Sequence, residues 1–514
     1  MFAERLTERT EARRVRTSNS LDAKHRSRWG QFFTPAPVAA VLADLIELPD
    51  VGPLRVLDPG AGVGSLSAAL VARLVREQAG CSLHLVAVES DPDLIGPLED
   101  TLVDCQAVAE KGGVELSFEI RPCDFLLWAA DILSGTFRAT SETFDACVMN
   151  PPYRKLNVGS EYRVVLERCG LRVTNLYTAF MGSAAALLAP GGQLSSITPR
   201  SFANGPYFLP FRNFFLDRMG IEFLHVYEKR GRVFADTNVL QENVNLHAIR
   251  GQRPSFITLS TSTGLHDPPV TRKVPVEDVV RADAQRFIHI PLDEEATRVA
   301  SRIAQLPATL DDLGVQVSTG RVVDFRTREN LRAHPDPDAA PLIYPGHLRD
   351  GSVKWPLLDG RKANALAINE ETAALFLPNG DYSLVKRFSA KEEKRRVTAA
   401  WFRPAAILSD VVAFENHLNV FHRAGQGIEP ALAAGLTLFL NTTVVDGYVR
   451  QFSGHTQINA TDLRLLRYPS RSDLLGVGER VIRDGFPADQ PGVDRLADSG
   501  LFGRRDGEFV SLAA

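Results

Sequence analysis

Hydrophobic and polar positions follow two alternating periods over residues 29–255. Short apolar runs, typical of buried strands, are separated by segments in which apolar residues recur every three to four positions, as on amphipathic helices. This alternation predicts an α/β fold with a mostly parallel, doubly wound sheet covered by helices on both faces. The predicted strands are residues 55–57, 83–88, 114–120, 144–149 and 193–197.

The pattern changes beyond about residue 250, where Ser, Thr and Pro become frequent and the periodicity is lost. We place a domain boundary there and predict a mixed α+β domain over residues 285–484. Its short predicted strands are residues 341–344 and 411–414, with a helix near 431–440. The ends of the chain are interpreted as a basic arm over residues 1–28, either frayed or ordered by a partner, and a loosely ordered tail over residues 485–514.

Composition narrows the class of protein. The chain has 514 residues, 44% of them hydrophobic and 23% charged, which is enough for two or more packed cores and rules out a disordered or collagen-like protein. Five cysteines lack any Cys-Xaa-Xaa-Cys pair or zinc-ligand spacing, so we expect reduced thiols and no metal site. No signal peptide and no apolar run of roughly 20 residues is present, which predicts a soluble cytoplasmic protein without a membrane partner.

Three loops at the predicted carboxyl edge of the sheet suit an adenosine. The glycine-rich turn Asp58-Pro59-Gly60-Ala61-Gly62 follows the first strand and lets the backbone approach a ligand closely. Glu89 ends the second strand, where a carboxylate can accept hydrogen bonds from both ribose hydroxyls. After the third strand, Asp124 can accept from an adenine amine and Phe125 can pack on the ring.

Upstream, Gly30-Gln31-Phe32-Phe33-Thr34-Pro35 precedes a predicted amphipathic helix. Thr34 is a natural N-cap and Pro35 a natural first helical residue. Helix capping alone would explain this pair, so a separate role for Thr34 stays open at this point.

The tetrapeptide Asn150-Pro151-Pro152-Tyr153 directly follows the fourth strand. Its two prolines remove backbone donors and fix the chain, so that the Asn150 side-chain oxygen and the Pro151 carbonyl can both act as acceptors. Two acceptors suit the two hydrogens of a planar amine, and Tyr153 can stack on the ring that bears it. The tetrapeptide therefore predicts methyl transfer to an exocyclic amine.

At these motifs the sequence resembles the gamma-class N6-adenine DNA methyltransferases, the group that includes the TaqI methylase and many modification enzymes of type II restriction systems. The resemblance implies a Rossmann-like S-adenosylmethionine-dependent methyltransferase domain and a DNA target-recognition domain. It implies that Asn150, Pro151 and Tyr153 hold the target adenine. It also implies a set of cofactor contacts, namely Thr34, Asp58, Gly60, Glu89, Asp124, Phe125 and Pro152.

The resemblance continues at residues 197–215, where an aromatic side chain before an Arg-containing helix packs against the extruded adenine. The alignment places Phe208 in that role, with Phe202 and Tyr207 as near competitors. Extrusion of a paired base costs a few kcal/mol, and aromatic stacking of about 1 to 3 kcal/mol per base is of the right size to offset it.

The C-terminal half resembles the recognition region of this family more weakly. In that context a basic cluster becomes a candidate phosphate-contacting strip. Its members are Lys386, Arg387, Lys394, Arg395 and Arg396.

Other functions compete with this one. A protein-glutamine methyltransferase uses the same tetrapeptide, but those chains are much shorter. RNA adenine methylation lacks a recognisable RNA-binding module, a fused nuclease would need an additional domain, and a non-catalytic DNA-binding protein would not need every chemical residue to be present. We therefore expect an enzyme that methylates adenine in double-stranded DNA, protects it from a cognate restriction endonuclease, and acts as a monomer in the prokaryotic cytoplasm at the nucleoid.

Overall fold

The computed structural model describes residues 2–22, 33–135, 142–227, 243–265, 267–281, 285–334, 336–358, 360, 362–389, 393–404, 409–452 and 457–502. The chain divides into two compact units, Met1–Leu292 and Asp293–Ala514. The predicted residues Gly30, Gln31 and Phe32, and the ends of the predicted arm and tail at 23–28 and 503–514, lie outside the described residues.

The first unit is built on one large sheet, as the alternating pattern predicts. Its described strands run in the order β3-β2-β1-β4-β5-β7-β6-β8-β9, and the first five are parallel. In the centre, Leu57 of the first strand pairs with Val86 on one side and Cys147 on the other. The elements are α1 (Phe2–Ser20), α2 (Ala36–Asp44), β1 (Gly52–Pro59), α3 (Ser65–Glu77), β2 (Cys81–Val88), α4 (Pro92–Lys111), β3 (Leu116–Arg121), α5 (Phe125–Leu133), β4 (Phe144–Met149), α6 (Glu161–Arg168), α7 (Leu176–Leu187), β5 (Leu188–Pro199), α8 (Leu209–Arg218), β6 (Met219–Tyr227), β7 (Asn243–Arg250), β8 (Phe256–Ser262), β9 (Val270–Pro275) and α9 (Val276–Val279).

The prediction of a doubly wound α/β sheet is confirmed, and the strand order has a functional consequence. The order reverses between β1 and β4, so the chain leaves these two neighbouring strands in opposite directions. A crevice opens at the carboxyl ends of strands at such a switch point, and ligands of doubly wound folds bind there. The glycine-rich turn after β1 and the tetrapeptide after β4 both start at this crevice.

The prediction of a frayed or partner-ordered arm is wrong for residues 2–20. They form α1, which packs against α3 and α4. Leu6 is completely buried, and Arg13 donates hydrogen bonds to Thr101 Oγ1 and Asp104 Oδ2, both at 2.9 Å. The basic residues that suggested an extended arm therefore partly serve to dock a helix on the first unit.

The boundary placed at residue 255 is also too early. β8 and β9 extend the same sheet, with Leu224 of β6 paired to Leu259 of β8. Their polar composition reflects an outer position, because the last strands of a sheet expose one face and one edge to water. The chain passes from the first unit to the second between Leu292 and Asp293.

The second unit is mixed α+β, as predicted. Its described strands form two sheets, in the orders β10-β20-β17-β18-β14-β13 and β11-β15-β12-β19-β16. The elements are α10 (Glu294–Ala304), β10 (Gln316–Thr319), β11 (Leu331–Arg332), β12 (Ala339–Ile343), β13 (Leu348–Arg349), β14 (Ser352–Val353), β15 (Ala365–Ala367), β16 (Phe376–Pro378), β17 (Tyr382–Lys386), β18 (Ala399–Phe402), β19 (Val411–Phe414), β20 (Leu418–His422), α11 (Pro430–Leu440), α12 (Thr443–Phe452), α13 (Ala460–Arg464), α14 (Arg471–Asp484) and α15 (Gln490–Gly500).

The prediction of a loose tail is wrong for residues 490–500. They form α15, which packs against α14 and buries Val493 and Ala497 in the core of the second unit. In the described part of the chain, no single helix is long and apolar enough to cross a membrane, although the bent pair α11 and α12 has suitable length and composition. The same part of the chain holds no group of three or more His, Cys, Asp or Glu residues suited to a metal ion.

Candidate active site

A cleft of about 660 Å³, including space open to solvent, lies at the crevice between β1 and β4. Five of the predicted site residues line it, and they come from four separate loops: Thr34, Gly60, Glu89, Asn150 and Pro152. Topology alone brings these residues together, because the loops follow β1, β2 and β4 or precede α2. The other lining residues include Phe33, Ser90 and Phe180, which sequence reasoning did not assign to the site.

The glycine-rich turn forms the floor of the cleft. Gly60 and Gly62 have φ values of +71° and +60°, which residues with a side chain rarely adopt. A Cβ atom at Gly60 would come within 3.4 Å of the Phe180 ring, and one at Gly62 within 3.5 Å of Phe33. A side chain at either glycine would therefore lie between the turn and an aromatic ring that lines the cleft, and glycine leaves the backbone there without one.

Glu89 joins this turn to the end of β2. Its Oε2 accepts a hydrogen bond from the Gly62 amide at 2.8 Å, and its Oε1 accepts from the Ser90 and Asp91 amides, both at 2.8 Å. Burial raises the pKa of this carboxyl, while the three amide hydrogen bonds lower it. Three of the roughly four lone-pair positions of the carboxylate are occupied by these amides, so Oε2 can accept one further hydrogen bond from a ligand while the group holds the turn.

We expect that Glu89→Gln weakens ligand binding in the cleft by about 10- to 100-fold, because the amide NH₂ turns a donor toward backbone donors and leaves a buried amide without its acceptor. Calorimetric titration with S-adenosylmethionine measures the effect. Glu99→Gln, on the exposed surface of α4, is the matched control. Equal affinity in the Glu89 and Glu99 variants would contradict the proposed role of Glu89.

Asp58 lies beneath the turn, not at the surface of the cleft. Its side chain is buried, and Oδ2 accepts a hydrogen bond of 2.6 Å from Ser67 Oγ on α3. Burial is the main cause that raises its pKa to about 7. The structure therefore gives Asp58 a place in fixing the turn to α3.

Asp124 and Phe125 stand at the start of α5 and do not line the cleft. Asp124 Oδ1 caps the helix by accepting from the Leu126 and Leu127 amides at 2.9 and 3.1 Å. Its Oδ2 accepts from the Tyr162 hydroxyl at 2.6 Å. Phe125 is buried behind Phe180, with ring centroids 4.9 Å apart. Tyr162, on α6, gave no signal in the sequence, because its contact depends on how the segment after the tetrapeptide folds back.

The tetrapeptide places two polar groups in direct contact. Tyr153 donates its hydroxyl proton toward Asn150 Oδ1 at 2.9 Å and toward the Ile197 carbonyl at 3.3 Å. Asn150 Nδ2 donates to Thr34 Oγ1 at 3.0 Å. Burial raises the pKa of Tyr153 well above its usual value, so the hydroxyl stays protonated as a donor. The Asn150 carboxamide is thus held between two hydroxyl groups.

This arrangement corrects the predicted capping role of Thr34. The helix α2 begins at Ala36 after Pro35, and no side chain of its own N-cap residue bonds to it. The Ala36 amide instead donates to Glu11 Oε2 of α1 at 3.1 Å. Because Glu11 accepts the hydrogen bond of the Ala36 amide, the Thr34 hydroxyl is available to Asn150.

A line of aromatic rings leads away from the tetrapeptide. Tyr153 lies 6.5 Å from Tyr177, and Tyr177 lies 6.0 Å from Phe208, between ring centroids. Of the two competitors for the role of Phe208, Phe202 is buried against Phe211 in the core, whereas Tyr207 is 76% exposed. Phe208 is thus the candidate that connects to Tyr153 through one intervening ring.

The structure contradicts the continuous basic strip in the second unit. Arg396 is buried and bonds the Ser389 carbonyl, and Arg395 donates to the carbonyls of Val397 and Thr442. Lys386 forms an ion pair of 2.7 Å with Glu393. A sequence run of cations cannot reveal which members turn inward to donate to loop carbonyls, as Arg395 and Arg396 do here.

The other two members of the strip differ in exposure. Lys394 is exposed. Arg387 is half-buried and donates to Asn416 O and Gln457 Oε1, both at 3.2 Å. Lys394 is therefore the member best placed to meet a phosphate, while Arg387 links three loops.

The known proteins to which this chain is similar belong to one functional class. Residues 116–234 match the family model described as Eco57I restriction-modification methylase. The chain is 39% identical over 491 residues to the type II methyltransferase M.PstI of Providencia stuartii, covering 95% of this chain and 96% of the relative. It is 38% identical over 489 residues to the type II methyltransferase M.BsuBI of Bacillus subtilis, covering 94% and 96%.

Solved structures share the fold at low sequence identity. The type IIL restriction-modification enzyme MmeI, determined in complex with DNA, aligns with a TM-score of 0.54 and 12% identity. The alignment covers 88% of this chain and 71% of that chain. It therefore includes both units of the present chain.

Proposed function

Because the chain belongs to the type II DNA methyltransferases of restriction-modification systems, we propose that it transfers a methyl group from S-adenosylmethionine to the N6 amine of adenine in a short double-stranded DNA sequence. The observation that carries this proposal is the position of the tetrapeptide. Asn150 and Pro152 line the same cleft as Gly60 and Glu89, so an amine held by the tetrapeptide would meet a ligand of the glycine-rich turn.

The residues of the cleft fit S-adenosylmethionine. Gly60 and Gly62 place no side chain toward a ligand, Glu89 Oε2 offers an acceptor for a ribose hydroxyl, and Phe180 supplies an apolar wall. We propose that Thr34, Gly60, Glu89 and Pro152 hold the cofactor directly. Asp58, Asp124 and Phe125 would support it from behind the cleft wall, by fixing the turn after β1 and the start of α5. When bound, the cofactor supplies an electrophilic methyl group on a positively charged sulfur.

The chemical task of the protein is to make an exocyclic amine nucleophilic. Such an amine is a poor nucleophile because its lone pair is delocalised into the ring. Asn150 Oδ1 and the Pro151 carbonyl would accept its two hydrogens as the nitrogen becomes pyramidal, which stabilises the transition state more than the ground state. Tyr153 would stack on the adenine and fix the direction of the nitrogen. No separate general base is required before the attack, because the nitrogen releases one of its two protons to water only after the new N–C bond has formed and the S–C bond of the methyl donor has broken.

The target base must leave the double helix to reach this cleft, since its amine lies within the stack. We propose that Tyr153 and Phe208 stack on the extruded adenine. The intermediate position of Tyr177 supports this proposal, because three neighbouring rings form an apolar wall beside the tetrapeptide.

We further propose that the second unit, Asp293–Ala514, recognises the DNA sequence, with Lys394 among its phosphate contacts. A cognate endonuclease would recognise the same sequence and be blocked by the N6-methyl group. The enzyme would act as a monomer. It would act at the nucleoid of a prokaryotic cytoplasm, since that is where its proposed substrate lies.

The test is single-molecule sequencing of genomic DNA from a methylation-deficient bacterial host that expresses the protein, with Asn150→Ala as control. N6-methyladenine at one short motif, absent in the control, is the expected result. N4-methylcytosine at that motif would retain the amine chemistry and overturn the adenine assignment. Unmodified DNA from cells that contain the folded protein would overturn the proposal as a whole.

A further inference from the structure

The side chain of Asn150 has two ends of nearly equal size, and only one of them can accept a hydrogen bond. If the carboxamide turned over, its NH₂ group would face the target amine and the two donors would repel each other. The proposed chemistry therefore requires something in the protein to set which end faces the base.

Thr34 is in the position to do this. Its Oγ1 accepts from Asn150 Nδ2 at 3.0 Å while the Tyr153 hydroxyl donates to Oδ1, so the two hydroxyl groups together hold the carboxamide in this orientation. Thr34 is 6% exposed, so little water can replace this hydrogen bond. Both Thr34 and Asn150 line the cleft. A substitution at Thr34 therefore alters the contacts of the tetrapeptide.

The surroundings of Thr34 keep its hydroxyl available. Glu11 of α1 takes the Ala36 amide, so Thr34 does not cap α2. On the other side, Phe33 packs with Val63 and Leu94 in a small buried cluster that also contacts Leu21, just past the end of α1. The docking of α1 thereby fixes the segment that carries Thr34.

We infer that Thr34 is a positioning residue for methyl transfer, which acts through Asn150 by holding the carboxamide with its oxygen toward the target amine. This role is distinct from the cofactor contact proposed above, and it rests on the proposed function of the tetrapeptide. A cofactor contact changes the affinity for S-adenosylmethionine, whereas a positioning role changes the rate of the chemical step when the cofactor is saturating.

The experiment compares Thr34→Val, which removes the hydroxyl at nearly constant volume, with Thr34→Ser, which keeps it. Single-turnover methylation is measured at saturating S-adenosylmethionine and DNA, and the dissociation constant of the cofactor is measured by calorimetry. For Thr34→Val we expect weaker cofactor binding from the lost cofactor contact and, in addition, a rate about 10- to 100-fold lower even when the cofactor is saturating, because a buried donor loses its acceptor. Thr34→Ser should restore the rate to within about threefold of the original enzyme.

Two results would overturn the inference. One is a Thr34→Val rate that recovers fully at saturating cofactor, which would leave only a cofactor contact. The other is an unchanged rate in both Thr34→Val and Thr34→Ala, the second variant being included in case the first is poorly folded. Thr258→Val, on β8 toward the far edge of the sheet, controls for the general effect of this substitution.

The methylated nucleoside is identified by mass spectrometry in the same samples. If the unmodified enzyme forms a product other than N6-methyladenine, the proposed function fails on its own. The dependence of the rate on Thr34 is then still measured on that product, so the two failures can be told apart.

Discussion

Replacement of Asn150 with alanine is expected to lower the single-turnover rate of methyl transfer by at least about 10²- to 10³-fold, which corresponds to ~3–4 kcal/mol of transition-state stabilisation. In the proposed mechanism the side-chain oxygen is one of two acceptors for the target amine. The carboxamide that carries it is held by the hydroxyls of Tyr153 and Thr34. Loss of such a prepared group removes stabilisation from the transition state, and surrounding water cannot reproduce its geometry.

Cofactor affinity is expected to change by less than about threefold in the same variant, because the glycine-rich turn and Glu89 are untouched. Methyl transfer to a DNA substrate and calorimetric binding of S-adenosylmethionine separate the two effects. Asn157→Ala, on the exposed segment after the tetrapeptide, is the matched control. Equal methylation rates in the Asn150 and Asn157 variants would rule out the proposed amine grip.

The sequence alone was sufficient to place the cleft, because strand periodicity and chain order define the carboxyl edge of a parallel sheet. Gly60, Glu89 and Asn150 each follow a predicted strand, and all three line one cleft in the structure. Hydrophobic runs such as 144–149 are buried on both faces, which makes them easy to recognise.

Contacts that depend on the path of loops were not predictable in this way. Glu11 accepts the hydrogen bond of the Ala36 amide at the start of α2, although it lies 25 residues before Ala36 in the chain. Thr34, which is close to Ala36 in the sequence, therefore does not cap this helix. Tyr162 reaches Asp124 because the segment after the tetrapeptide folds back, and Arg396 turns inward to a loop carbonyl. In each case the local pattern is compatible with a simpler role, and tertiary contacts decide between the two.

Arg212 is a further example, and it carries the largest expected effect on stability. It lies on α8 and is completely buried, which is rare for arginine. Its guanidinium donates to four backbone carbonyls, at Phe202, Asn204, Gly205 and Gln285, with distances between 2.9 and 3.0 Å. It also stands over the Phe287 ring at 4.9 Å. The Arg212 side chain therefore stabilises the loop that precedes Phe208 through hydrogen bonds to several of its carbonyls.

Arg212→Leu is expected to lower the free energy of unfolding of the first unit by ~3–5 kcal/mol, because several buried carbonyl oxygens lose their donor at once. In a unit of this size that corresponds to a fall in Tm of roughly 5–8 °C, measured by differential scanning calorimetry. The control is Arg253→Leu: Arg253 also donates to two carbonyls, at Gln252 and Asp217, but it is exposed and water can replace it. A Tm for Arg212→Leu equal to that of the control would mean that the loop before Phe208 is held by other contacts. A large fall would show that the stability of the first unit depends on this buried cation and on the loop carbonyls to which it donates.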